Sequence, residues 1–337
     1  MKKESNLLTG SIWRGIVVFA IPLFMGNLFQ QLYNMVDSLI VGNFLGSEAL
    51  AAVSSSGSLI FLLVGFINGT ATGAGVIISR YFGAGDDKSL KRAVHTDIAF
   101  GLAAGLLLTV VGILFAPQIL VWMGTPAEVL PDSVAYFRVY FGGSIAFVMY
   151  NICMGILQAV GDSRHPLYYL MISSFVNVGL DFVFVGGLGL GVWSAALATA
   201  LSQAVSALLC FWRLVRKNEV YQVRIKEIRF HADMLSQILR LGLPSGLQNS
   251  IISIANIVVQ SNINEFGVLA MAGCGVYAKI EGFAFLPINC FAMALTTFIS
   301  QNLGAMQYDR AKKGAVFGIF CSVTLAELVG VVVYQFM

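Results

Sequence analysis

Charge is what this sequence has least of. Of its 337 residues only 11% are Asp, Glu, Lys or Arg, against about 25% in soluble domains, while 58% are hydrophobic. That scarcity excludes a water-soluble fold and indicates an integral membrane protein. A net charge of +3 and three histidines leave no basic surface for nucleic acid and little material for acid–base chemistry. The five cysteines (Cys153, Cys210, Cys274, Cys290 and Cys321) lie in apolar runs, with no CxxC and no His at ligand spacing. They read as small buried side chains, not as metal ligands or a disulfide framework. There is no nucleophile elbow and no paired acid placed for hydrolysis. The glycine-rich "GAGVIISRYFGAGDDKSLKRA" ends an apolar run in a basic loop and lacks the strand and Lys-Ser/Thr of a phosphate loop. The chain is therefore not read as an enzyme, and no cofactor beyond a coupling ion is expected.

What it has instead is length without charge. A membrane helix needs about 20 apolar residues, and nine runs satisfy that: roughly 15–43, 50–79, 96–116, 138–160, 166–186, 191–213, 240–263, 270–300 and 315–336. They recur along the whole chain, which a single signal peptide cannot explain. If the nine alternate across the bilayer, eighteen of the twenty Lys and Arg fall on one side, with Arg138 and Lys279 the exceptions. The positive-inside rule makes that side cytoplasmic and puts the N-terminus there, in a multi-pass protein of the cell membrane.

The chain repeats itself. "SRYFGAGDDKSLKRA" (79–93) resembles "SQNLGAMQYDRAKKG" (300–314), and "AIPLFMGNLFQQLYNMVDS" (20–38) aligns with "GLPSGLQNSIISIANIVVQ" (242–260). Pro22 meets Pro244, Asn27 meets Asn249 and Asn34 meets Asn256. Six spans separate the copies, so both run the same way across the membrane, a parallel repeat. The organisation expected is an N-lobe at 1–213, a cytoplasmic linker with a surface helix at 214–239, and a partial C-lobe at 240–337. Because the second copy stops after three of six spans, the reading favours a truncated twelve-span pattern.

One acid stands inside this apolar material. Asp37 lies in "QQLYNMVDSLIVGNFLG", and between Ile16 and Ser47 no other side chain is charged. A carboxylate at the bilayer centre costs about 2.5–3.5 kcal/mol even on the lenient scale, so such a residue is a functional candidate by default. Asn27, Gln31, Asn34 and Ser38 share a helix face by their spacing of three and four, with Gln30 and Asp37 flanking it. Span 7 repeats the seam as Asn249, Ser253, Asn256 and Gln260, but Val259 stands where Asp37 stands. Amide seams also serve as packing glue between helices. Span 5 contributes "FVNVGLDFVFV", with Asn177 and Asp181 four apart, and span 6 adds Thr199, Ser202 and Gln203. Two carboxylates with amide and hydroxyl oxygens suit a hard cation such as Na⁺, and equally a proton. Lys279 and Glu281 lie inside span 8 and Glu327 in span 9, without facing partners on their own helices. His95, His165 and His231 are expected to be solvated at the cytoplasmic interface.

These motifs, together with "LQAVGDSRHPLY" after span 4 and "LPSGLQNSI" in span 7, resemble multidrug and toxic compound extrusion (MATE) transporters of the DinF-like branch and its MepA-like relatives. The resemblance implies an all-α polytopic membrane protein, a two-lobe helical bundle with a six-helix N-lobe and here a partial, three-helix C-lobe. It further implies cation-coupled (H⁺ or Na⁺) export of organic, mostly cationic amphipathic compounds, by a monomer in the lipid bilayer. By that likeness Asp37, Asn177, Asp181 and Thr199 form the coupling site. Asn27, Gln31, Asn34, Gln248, Asn249, Asn256, Gln260, Lys279 and Glu281 are candidates for the substrate cavity. The NorM-like branch places a coupling glutamate in span 7; residues 248–257 hold no acid, which favours the N-lobe site. Alternatives are a lipid-linked precursor flippase, for which Lys279 is the one basic residue within the cavity, and a non-transport structural protein.

Overall fold

The computed structural model describes residues 7–122, 125, 127–264 and 268–336, with side chains other than those at 47–48, 50–52, 54–64, 257, 260–261, 264, 268–281, 329, 332–334 and 336. All regular structure among the described residues is helical, without strands. α1 (Ile12–Ala84) carries the first two spans and is broken at Gly46, whose φ of 87° lies in the region that favours glycine. α2 (Asp87–Trp122) follows, then α3 (Leu130–Gly142) and α4 (Ser144–Ala159), which meet at a 45° bend. The expected span at 138–160 thus begins earlier, at Leu130, and is bent at the Gly142–Gly143 pair, where two residues without side chains weaken the helix. α5 (Arg164–Asp181) runs into one π-helical stretch, Phe182–Gly187, and α6 (Trp193–Arg216) closes the N-lobe. α7 (Ala232–Asn264), α8 (Val268–Gly304) and α9 (Tyr308–Phe336) form the partial second lobe.

Among the described residues five helical stretches are long and apolar enough to cross a membrane: Ile12–Gly46, Asp87–Trp122, Arg164–Gly187, Trp193–Arg216 and Gly282–Gly304. The bent α3–α4 pair makes a sixth. The other three spans read from the sequence also lie on helices, in the second arm of α1, in α7 and in α9.

The expected linker 214–239 holds no separate surface helix: residues 214–216 end α6 and 232–239 open α7. Between Arg216 and Ala232 the chain bends and turns at 217–221 and makes one 3₁₀ turn, Ile225–Glu227, with no other regular structure, and Tyr221 and Val223 are buried in the N-lobe core. Its apolar residues alternate too closely for a helical face, and burying Tyr221 and Val223 straps the linker to the lobe. Arg224 N–H donates to His95 Nε2 at 3.0 Å, and His231 N–H donates to Thr96 Oγ1 at 3.2 Å.

The lobes meet through two helix pairs. Leu7, with Ile16, Phe19 and Leu23 of α1, packs on Leu286, Cys290, Phe291, Ala294 and Phe298 of α8. The second arm of α1 crosses α7 backbone to backbone: a Cβ on Gly246 would sit 2.9 Å from Phe66 O, and one on Gly242 2.9 Å from Thr70 O. In a membrane, where lipid competes for apolar contact, such glycine crossings let dispersion bring helices together.

Candidate functional site

α1 presents two polar faces rather than one seam. Gln30, Tyr33 and Asp37 turn into the N-lobe, with Tyr33 buried and Asp37 half-buried. Asn27, Gln31, Asn34 and Ser38 turn toward the second lobe and the cleft. The acid therefore sits beside the amide stripe, not on it.

α5 delivers Asp181 to the same interior. It is the last α-helical residue before the π-helical stretch, and its side chain is fully buried. π-helical insertions are frequent at functional sites because the extra residue re-aims the groups around it. The carboxyl groups of Asp37 and Asp181 meet within hydrogen-bonding reach. That contact becomes a hydrogen bond only if one of them carries a proton. Asn177, one turn before Asp181, donates through Nδ2 to Thr199 Oγ1 of α6 at 3.5 Å. Gln203, one turn further along α6, donates through Nε2 to the Tyr33 hydroxyl at 3.3 Å.

Four residues here keep buried oxygens that find no hydrogen-bond donor among the described residues: Asp37 Oδ1, both oxygens of Asp181, Asn177 Oδ1 and Gln203 Oε1. A buried acceptor without a donor costs about 1–3 kcal/mol, more when charged. Five converging on one place make a pocket that is short of positive charge. The donor set is all oxygen, with two carboxyls, which fits a proton or a small hard cation. Among the described residues no three His, Cys, Asp or Glu side chains converge to hold a metal ion.

The structure thus brings together Asp37, Asn177, Asp181 and Thr199, all named from the sequence. Tyr33 was missed, as was Tyr136 of α3, a buried ring within electrostatic range of both carboxyls. Tyr33 had a signal, four residues before Asp37 and three after Gln30, hence on the acid's own face. Tyr136 had none, since it reaches the site from another helix.

The cavity candidates divide. Asn27 Nδ2 donates to Cys290 Sγ of α8 at 3.1 Å, and Asn249 Nδ2 donates to Gly65 O of α1 at 3.1 Å. The two asparagines are equivalent in the repeat, and so are the helices that receive them, so the crossings form a pseudo-symmetric pair between the lobes. Gln31 Nε2 lies against Gly282 of α8. Asn34, Gln248 and Asn256 are exposed. The side chains of Gln260, Lys279, Glu281 and Cys274 fall outside the described residues.

The histidines are held, contrary to expectation. His95 is buried, bonded to the Lys91 carbonyl through Nδ1. His231 Nδ1 lies 3.1 Å from Thr96 Oγ1. His165 joins a cluster at the α4–α5 turn, where Asp162 accepts from its Nδ1 at 2.8 Å and from Arg213 Nε and Nη2 at 3.0 and 2.8 Å. The turn places these groups side by side, a pairing no linear spacing reveals.

The MatE family model matches residues 22–183 and 244–337, most of the chain. The chain belongs to the MatE family. MatE proteins are membrane transporters, and this chain is not an enzyme. It is 31% identical over 334 residues to the probable multidrug resistance protein YoeA of Bacillus subtilis, covering 97% of this chain and 72% of that protein. With the multidrug export protein MepA of Staphylococcus aureus the identity is 26%, over 86% of this chain and 64% of MepA. The crystal structure of MATE in the bent conformation superimposes with a TM-score of 0.90 at 27% identity, over all of this chain and 74% of that one. This MatE chain thus spans about two thirds to three quarters of the length of these relatives. Its fold is their two-lobe helical bundle, with six helices' worth of N-lobe and part of the second lobe.

Proposed function

We propose that the protein exports organic, mostly cationic amphipathic compounds across the cell membrane in exchange for H⁺ or Na⁺, by alternating access between its lobes. The cluster of donor-less oxygens around Asp37 and Asp181 carries this reading. Two bare carboxylates in contact repel in a medium of low dielectric constant, and one proton or cation relieves the repulsion. α1 connects that event to the lobes, because Asp37 is on one face of α1 and the inter-lobe Asn27 is on another. Loading the site draws α1 and α5 together and shifts α1 against α8. Coupling follows if cation and drug favour different arrangements; a ligand indifferent to the two states moves nothing. The basic loops support a cytoplasmic N-terminus and a cytoplasmic 217–231 strap. The names of the relatives, multidrug resistance and multidrug export proteins, support a broad range of small-molecule cargo.

The test is dye efflux from proteoliposomes under an imposed pH gradient and, separately, an imposed Na⁺ gradient. One of the two drives efflux in the parent protein, and Asp37→Asn abolishes it without lowering membrane expression. Undiminished efflux in Asp37→Asn overturns the reading.

A further inference from the structure

A cavity of about 40 Å³ lies between α1, α4 and α5 and borders α8, lined by Asn27, Gln30, Asn151, Gln158 and Ser163 among apolar neighbours that include Met293 of α8. One water needs about 10–15 Å³ and two to four polar partners, so this space holds roughly three waters. Its position along the helices is informative. On α1 the face reads Gly26, Gln30, Tyr33, Asp37 in order, so the cavity and the carboxyl pair lie about 10 Å apart along the axis, with Tyr33 between them. On α5 the cavity touches Pro166 and Leu170, at the end nearest the basic α4–α5 turn, while Asn177 and Asp181 lie deeper. Gln158 and Ser163 flank that turn, beside the Asp162–His165–Arg213 cluster.

Tyr33 is held by Gln203, whose Nε2 donates to its hydroxyl at 3.3 Å, and Gln30 of the cavity lining lies three residues before it on the same face of α1. The ring is 8% exposed and stands on α1 between Gln30 and Asp37. In this same arrangement the lobes are closed against each other at the end bearing the basic loops, through the contacts of Gly242 and Gly246 with α1. A route that left the carboxyl pair open to that end would let the cation through without cargo.

We infer that this polar chamber is the exchange route between the carboxyl pair and the cytoplasm, and that Tyr33 is the plug that keeps it shut in the conformation described. It rests on the cation-coupled reading above and adds where the cation leaves. The chamber is walled mainly by N-lobe helices and borders the second lobe at Met293 of α8. Release requires Tyr33 to give up its bond from Gln203 as α1 shifts.

Two measurements test it. In a variant freed of its native cysteines, Asn151→Cys should react with a membrane-impermeant cationic thiosulfonate added on the cytoplasmic side about tenfold faster than Leu157→Cys, which points into the packed core. In drug-free proteoliposomes, Tyr33→Ala should dissipate the coupling gradient (pH or Na⁺, whichever drives efflux) about tenfold faster than the parent, while Tyr33→Phe, which keeps the ring, stays tight. An Asn151→Cys as inert as Leu157→Cys means a dry cavity and overturns the inference. So does a Tyr33→Ala that folds and leaks no faster than the parent. The labelling measurement leaves Tyr33 intact and decides the matter if Tyr33→Ala fails to fold. If Asp37→Asn abolishes efflux and yet both measurements fail, the chamber alone is wrong. If Asp37→Asn exports normally, the coupling reading has failed first.

Discussion

Gly69 of α1 and Gly246 of α7 touch backbone to backbone, and a Cβ on Gly69 would lie 2.6 Å from the carbonyl carbon of Ser245. One turn away Gly73 meets Gly242 in the same manner. Every sliding or rocking motion between the lobes must separate or shear this crossing. Hydrogen bonds flank it: Ser79 Oγ and Gln301 Nε2 both donate to Ala159 O, at 3.0 and 2.7 Å, the first from α1 and the second from α8. The shared carbonyl makes Ala159 a point where one lobe reads the position of the other.

A side chain at the crossing should therefore wedge the lobes apart. Gly69→Leu forces backbone displacement, since nothing flexible stands in its way, and overpacking of this kind costs about 1–3 kcal/mol. With spin labels at Lys91 and Asp309, both exposed, the inter-label distance should lengthen in Gly69→Leu. It should not change in Gly75→Leu, where a Cβ meets nothing within 4 Å. Equal distances in both variants would mean the glycine crossing does not set the closed arrangement.

The carboxyl pair makes a prediction about stability that runs against intuition. Asp37→Asn replaces one of two like-charged neighbours by an amide, whose N–H can donate to the Asp181 oxygens that now find no donor. Satisfying a buried acceptor is worth about 1 kcal/mol. The variant should melt no lower than the parent in detergent, while cation-driven efflux falls to background. A lowered melting temperature would show that the pair holds the helices together instead of switching them.

At the α4–α5 turn the electrostatics are structural. Asp162 is buried, 4% exposed in its side chain, and it accepts from Arg213 and His165 together. Removing one partner of a buried ion pair costs about 3–5 kcal/mol. Arg213 keeps 17% of its side chain in solvent, so the lower end of that range applies. Asp162→Ala should lower thermal stability by about 3 kcal/mol, and Asp162→Asn by less, because it retains an acceptor oxygen. Unfolding followed by intrinsic fluorescence reads both.

Much of this molecule was legible in the residues. The spans were, because apolar length is a one-dimensional property. So were the repeat and the amide pairs, since Asn27 and Asn249 correspond by simple offset. The acids stood out because a charge in an apolar run is rare. What escaped was whatever depends on how helices face each other. The stripe Asn27–Gln31–Asn34 and the face Gln30–Tyr33–Asp37 are one residue apart in sequence, and only packing sends one to the second lobe and the other into the N-lobe. The linker misled for the opposite reason: its alternating charges and apolar residues fit a surface helix, whereas burial of Tyr221 and Val223 outweighs that local pattern. In the sequence the histidines look solvated because their partners, Asp162, Arg224 and Thr96, come from turns or from distant segments.

The strap supplies a pH dependence outside the membrane spans. Arg229 Nε donates to His231 Nε2 at 3.2 Å, so that nitrogen must be bare, and Nδ1 carries the ring proton toward Thr96 Oγ1. Partial burial and the neighbouring Arg92 and Arg229 charges hold the imidazole pKa below its ordinary 6.5, and His95 adds to this, while Asp233 pulls the other way. A histidine whose folded-state pKa is depressed binds its proton more readily once the strap is released. By linkage the docked strap is therefore at full strength above about pH 6.5 and loses stability as the pH falls below it. Hydrogen exchange over residues 217–231 should show less protection at pH 5.5 than at pH 7.5. His231→Gln, which cannot take up a proton, should remove the difference. If the parent is equally protected at both values, protonation of His231 does not oppose docking, and the His231–Thr96 contact carries no weight in holding the linker to α2.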